Sequence, residues 1–252
     1  MYGFFQKIAA EFFGTFAIVL IGAGSICADR YLQTQGHATF GLAGVALAYG
    51  FGVAAMVSAL AHISGAHLNP AVTVGMWVNR RLDTLYSFFY IVAQLVGSLA
   101  AAYLLVAALP ESAWVTDGLG TPDLAPDITR WRGMVIAGVL AAVIVFVYFA
   151  TIVDESGAFR KFGGFAVGLA VTADVLFGTP FVGASAANPA RTFGTALASR
   201  HWHNHGVFWI GPLFGAIIAA VVYERFFLGD QPPSDSQSGT VSVPHAVKSS
   251  RP

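Results

Sequence analysis

The sequence predicts an all-α membrane protein: six transmembrane helices plus two half-helices, arranged as an inverted repeat. Three observations predict it. Charged residues make up 10% of the chain against 56% hydrophobic, and the mean hydropathy is +0.67; a soluble domain carries about 25% charge. Six apolar runs are each long enough to cross a hydrocarbon layer of about 30 Å, which takes roughly 20 helical residues. The tripeptide Asn-Pro-Ala occurs twice, at Asn69-Pro70-Ala71 and Asn188-Pro189-Ala190, once in each half of the chain.

The six runs lie near 8–27, 38–60, 84–108, 133–152, 162–178 and 206–228. The first begins without the layout of a cleaved leader and is itself long enough to span. Two further apolar pieces, 69–78 and 188–198, are too short. Ten helical residues cover about 15 Å, half the membrane, so two of them entering from opposite faces make one crossing. Each half of the chain reads span, span, half-helix, span. Three full crossings per repeat is odd, so the second copy is inverted relative to the first. The channel domain is then 1–228, with repeats at about 5–110 and 130–228, followed by a Ser/Pro-rich tail at 229–252 that is expected to be disordered and cytoplasmic.

The basic residues set the orientation. With the amino terminus inside, Lys7, Arg80, Arg81, Arg160, Lys161, Arg225, Lys248 and Arg251 are cytoplasmic, while Arg30, Arg130, Arg132 and Arg200 face out. That bias places both termini inside, in a plasma (cytoplasmic) membrane. The acidic loop from Glu111 to Arg132 is then external. Lys+Arg and Asp+Glu balance at 13 each, so nothing points to a nucleic-acid partner. The single Cys27 excludes an intrachain disulfide and any Cys-cluster metal site. Gly44/Ala48/Gly52, Gly97/Ala101, Gly164/Gly168 and Gly211/Gly215 fall at helix-contact spacing and read as bundle packing, surrounded by lipid.

The chemistry lies in the two short pieces. Asn followed by Pro is a helix start: Asn caps, and Pro at the first helical position has no N–H to lose. Each helix start carries unpaired N–H groups and about half a positive charge. Two starts meeting at the midplane make it positive. Asn69 and Asn188 then offer amide N–H groups to a passing water, whose own hydrogens face away along the pore, and cations meet a barrier. The preceding turns supply carbonyls: Gly65, Ala66, His67 and Leu68 on one side, Ser185, Ala186 and Ala187 on the other. Non-helical backbone at membrane depth is tolerated only beside a water-filled cavity, so the paired motif itself argues for a wet pore.

Other polar residues take defined places. Arg191, directly after the second motif, reads as one wall of a constriction that donates to solute and repels cations. Glu11 in the first span is expected to accept hydrogen bonds from the first buried turn, and Asp174, near the outer end of the fifth span, is expected either to accept from the second turn or to stand as a charge at the pore mouth. The HWHNH stretch, with His201, His203 and His205, has metal-ligand types but no neighbouring Cys or acid in sequence, so it reads as a solvated outer loop, with no metal or cofactor expected. His62 is either a gate or a polar anchor. No Ser/His or Asp/Asp pairing at membrane depth supports an enzyme.

The stretches HISGAHLNPAVTVG and NPARTFG resemble the major intrinsic protein family, the aquaporins and glycerol facilitators, over about residues 5–228. The resemblance implies a right-handed bundle, a homotetramer with one pore per subunit, and a passive water channel that excludes protons and ions and leaks small neutral solutes. Thr192 and the pair Phe208-Trp209 resemble the water-channel branch, whereas the glycerol branch has Asp after the Arg. The alternative is a facilitator mainly for glycerol, urea, ammonia or hydrogen peroxide. Carried over residue by residue, the selectivity constriction falls on Tyr49, Arg191, Val175 (Leu176 in the other register) and Ser185 (Ala184 in the other register). TADVLFGTPFVGAS resembles the plant vacuolar subfamily in having an aliphatic residue where strict water channels carry His. The second repeat also lacks the family's Glu, its position being Ala137.

Overall fold

The computed structural model describes residues 2–157 and 160–228. The tail expected at 229–252 lies outside the described residues. The described chain is helical: α1 (Phe4–Thr34), α2 (Gly41–Ser64), α3 (Pro70–Val78), α4 (Thr84–Ala108), α5 (Arg130–Tyr148), α6 (Gly163–Val182), α7 (Pro189–Ser199) and α8 (Val207–Tyr223). Single π-helical turns, Phe149–Val153 and Glu224–Leu228, extend α5 and α8. Six of these segments are long and apolar enough to cross a membrane.

The expected spans are all present, and the first, fourth and fifth run longer than expected. The first runs from Phe4 to Thr34, not 8–27; at 31 residues it measures about 46 Å, so its last turns, with Arg30, stand clear of the hydrocarbon. The fifth continues beyond 178 to Val182, passing Pro180. A proline so near the end removes one donor and little else, and Gly183 at φ 79° ends the helix.

Packing follows the repeat. α1 lies on α4 and α5 on α8, while α2 and α6 meet across the centre. Each half-helix packs on the last span of the other repeat, α3 on α8 and α7 on α4, so neither half closes alone. The small residues permit these contacts. A Cβ on Gly215 would overlap the Gly138 carbonyl, and one on Gly168 would come 2.5 Å from the Gly50 carbonyl. Large apolar side chains also cover the outside, Phe5, Phe51, Phe88, Val96, Val139, Leu169 and Phe214 being exposed, while Glu11, Gln94, Asp174 and Arg191 are buried. That inversion suits lipid as solvent. Near the chain's Lys7 end, Arg81 clamps Glu224 through Nε and a second nitrogen, the latter at 2.8 Å, and Asn79 donates to the Ala220 carbonyl at 2.7 Å. These bonds tie the far end of α3 to α8.

Candidate functional site

The half-helices meet start to start. Asn69 Oδ1 accepts from the Ala71 amide at 2.8 Å, and Asn188 Oδ1 from the Ala190 and Arg191 amides at 3.1 and 3.3 Å. Both are therefore N-caps with Pro at the first helical position, as the sequence requires. Their amide nitrogens cross over. Asn69 Nδ2 donates to the Ala187 carbonyl at 3.1 Å, and Asn188 Nδ2 to the Leu68 carbonyl at 3.0 Å. One N–H of each Asn thus cross-links the repeats, and the other remains for solute. Sequence reasoning assigned both amides to the lumen and did not foresee this reciprocal pair, because the partners are 118 and 120 residues apart.

Buried Glu11 organises the first turn. Its Oε1 accepts from Ser64 Oγ at 2.7 Å and the His67 amide at 2.9 Å; its Oε2 accepts from the Leu68 amide and Gln94 Nε2, both at 2.7 Å. Gln94 Nε2 also reaches Thr73 Oγ1 at 2.9 Å, and Thr73 Oγ1 lies 3.1 Å from His67 Nδ1. Tyr90 and Tyr148 donate to the Ser64 and Gly65 carbonyls at 2.9 and 2.7 Å. These bonds offset the left-handed backbone of Ala66 and Leu68 (φ 51° and 52°), which costs about 1–2 kcal/mol per residue.

The second turn has no such anchor. Ser185 is also left-handed, φ 54°. The matching position, Ala137, is a fully buried methyl. Asp174 was expected to accept from this turn. It is buried, yet neither carboxylate oxygen has a hydrogen-bond partner among the described residues. Asp174 sits inside the α6 helix, buried and without a hydrogen bond to the turn. The turn is instead closed by the Asn188–Leu68 bond and by Gly183, packed against Pro122 and Asp123.

Three cavities follow one another along α2. A cavity of about 670 Å³ opens beside Lys7, Ala61, His62 and Gly65. A narrow throat of about 30 Å³ is lined by Tyr49, Val53, Val57, Asn69, Ser185 and Asn188, among others. A third, about 460 Å³, opens beside Asp29, Leu42, Val45, Asp123 and His201. From Leu42 to His62 the same helix passes from one mouth through the throat to the other. The throat has room for a water or two, since one needs about 10–15 Å³.

Several expected residues are sorted by these cavities. Ala66, His67 and Leu68 line the throat, Gly65 lines the Lys7 mouth, and Ala186 and Ala187 are fully buried and line none of the three cavities. Tyr49 shares the throat with Ser185. Arg191 is 0% exposed, and none of its three guanidinium nitrogens has a hydrogen-bond partner among the described residues. Val175 is fully buried, whereas Leu176 is 43% exposed on the outer face of α6 and cannot look inward. Ala184 lines the Asp123 mouth. His62 lines the Lys7 mouth with its ring edge-on to Tyr2, 5.7 Å between centroids.

Sequence reasoning missed the aliphatic wall: Val53 and Val57 from α2, Val167 and Val171 from α6, with Ile18, Val72 and Ile144. The two i, i+4 valine pairs were the available signal. Cys27 is buried and lines none of these cavities; it shares α1 with Gly22, which packs on the Tyr49 ring. A Cβ at Gly22 would overlap that ring. Gly22→Ala is expected to push Tyr49 into the throat and cut transport severalfold while the helices stay folded. Vesicle flux against far-ultraviolet circular dichroism checks it, and unchanged flux would refute it.

The family described as Major intrinsic protein matches residues 1–223. Aquaporin TIP4-4 of Zea mays is 42% identical over 228 residues, covering 90% of this chain and 88% of that protein. Aquaporin-4 of Mus musculus is 34% identical over 227 residues, covering 90% of this chain and 69% of that one. The solved aquaglyceroporin of Plasmodium falciparum superposes with a TM-score of 0.78 at 19% identity, over 89% of this chain and 97% of that chain, a likeness of fold.

Proposed function

We propose that this chain, which belongs to the major intrinsic protein family, is a passive water channel that excludes protons and ions. The observation that carries the reading is the throat. Two half-helix starts meet there, each Asn keeps one amide N–H free, and the remaining wall is largely aliphatic. A water in the throat accepts from the Asn amides and turns its hydrogens outward. The positive helix ends repel cations and break a proton wire. The aliphatic wall adds no competing bonds, so water passes without being held. The relatives named aquaporins support water as the cargo.

Around this throat, Tyr49, Val175, Ser185 and Arg191 form the selectivity constriction. Arg191 suits the part because none of its buried guanidinium nitrogens makes a hydrogen bond among the described residues, which leaves them for solute. The carbonyls of Gly65, Ala66, His67, Leu68, Ala186 and Ala187 accept from the water file; those of Leu68 and Ala187, already bonded to Asn188 and Asn69, keep a second lone pair. The domain is 1–228 with repeats at about 5–110 and 130–228. It assembles as a homotetramer with a pore in each subunit, its outer face against lipid. Both termini are cytoplasmic in the plasma membrane, which makes the Asp123 mouth external.

A second reading, a facilitator for urea, ammonia, hydrogen peroxide or glycerol, draws on the aliphatic Val175. Stopped-flow light scattering on proteoliposomes with a trapped pH dye tests both. Osmotic water flux well above that of empty vesicles, without a matching proton flux, is expected. A proton flux tracking water would overturn the mechanism. Solute uptake with no water flux would favour the second reading.

A further inference from the structure

We propose that Asp123, His201 and His203 form a binding site for a divalent transition metal in the wall of the Asp123 mouth. In sequence, the HWHNH stretch has no acidic neighbour. The fold supplies one: the loop before α5 brings Asp123 beside the turn that follows α7. Asp123 Oδ2 lies 3.1 Å from His201 Nε2 and 3.8 Å from His203 Nδ1. The three ligand atoms all fall within 4.8 Å of one another. Around a tetrahedral zinc with bonds of 2.0–2.1 Å, ligand atoms stand about 3.3 Å apart. The two distances from Asp123 to the rings, 3.1 and 3.8 Å, bracket that spacing before any adjustment, and 3.8 Å is too long for a hydrogen bond.

The carboxylate is aimed. Asp123 Oδ1 accepts from Asn204 Nδ2 and from the Leu124 amide, both at 2.8 Å, which leaves Oδ2 turned to the two rings. Asn204 is held in turn by Arg130 Nε at 3.1 Å. This is the outer-shell support that orients a metal-ligating carboxylate. Burial pushes the Asp123 carboxyl up, but the bonds from Asn204, Leu124 and His201 outweigh it and hold the group below the usual carboxylate range.

Two imidazoles and one carboxylate suit zinc, nickel or copper(II) and disfavour calcium or magnesium. Three protein ligands leave a fourth position for water. The His203 side chain is 81% exposed, so an ion reaches the site from bulk solution. Asp123 and His201 both line the 460 Å³ mouth, so the ion stands where solute enters. It would also pin the loop before α5 to the turn after α7. The site stands whether or not the channel carries water.

The test is calorimetric titration of untagged full-length protein in detergent with zinc chloride, paired with thermal unfolding. One zinc per chain is expected, with a rise in Tm that magnesium does not reproduce; at a hundred times Kd the linkage amounts to about 2.7 kcal/mol. His203→Ala should weaken binding at least about tenfold and abolish the Tm rise. Asn204→Ala, which touches no metal, should weaken it by about tenfold. Absence of saturable binding in the folded wild type would overturn the site. So would wild-type affinity in both His201→Ala and His203→Ala, which would move the ion to another of the seven histidines.

Discussion

Glu11→Ala is expected to abolish water flux and to be the most destabilising single change in the bundle. The substitution strips the acceptor from the amides of His67 and Leu68, the Ser64 hydroxyl and the Gln94 amide, all buried. An orphaned buried donor costs about 1–3 kcal/mol, so several kcal/mol are lost together. No water reaches that pocket from the lipid side to compensate. The left-handed Ala66 and Leu68 then have nothing holding them, and the Leu68 carbonyl no longer meets Asn188. Glu11→Gln keeps one oxygen but turns an N–H₂ toward donors, so an intermediate loss is expected. Thermal unfolding in detergent, alongside vesicle flux, decides. A Glu11→Ala protein with wild-type Tm and flux would show that the turn is held by something else.

Arg191→Val is expected to change selectivity rather than stability. The guanidinium is fully buried with no hydrogen-bond partner among the described residues, so its removal breaks no hydrogen bond among them. Its bulk and charge both vanish. At 4 Å and an effective dielectric near 20, a unit charge repels a cation by about 4 kcal/mol, roughly a thousandfold in rate. Urea and glycerol uptake should rise about tenfold or more, and monovalent cations should become measurable. The half-helix starts remain, so proton exclusion should weaken less than cation exclusion. Isotope uptake and dye-reported proton flux on the same vesicles separate these. Unchanged uptake of every solute in a folded variant would place the constriction elsewhere.

The contrast between Glu11 and Ala137 shows what could be read and what could not. A carboxylate inside an apolar run must find donors, and the nearest chain with unpaired amides was the turn before Asn69, so its role was legible. Its counterpart is a methyl, and no local rule says what then holds the second turn. Asp174 offered the right chemistry at a plausible distance in sequence, but its helix keeps both oxygens away from the turn's amides. The Val175 and Leu176 alternatives were of the same kind. A one-residue register is invisible to composition, and only the face of α6 turned inward distinguishes them.

By itself the sequence determined the class of the molecule, its spans and its two half-helices, because these follow from local quantities: run length against bilayer thickness, and the capping chemistry of Asn before Pro. The tertiary structure alone decided the Asn69–Ala187 and Asn188–Leu68 cross-links, the valine wall of the throat, and the meeting of Asp123 with His201 and His203. Each of these joins residues from different helices or loops. Their distances are set by how small residues let the helices close on one another, a quantity that no window of sequence contains.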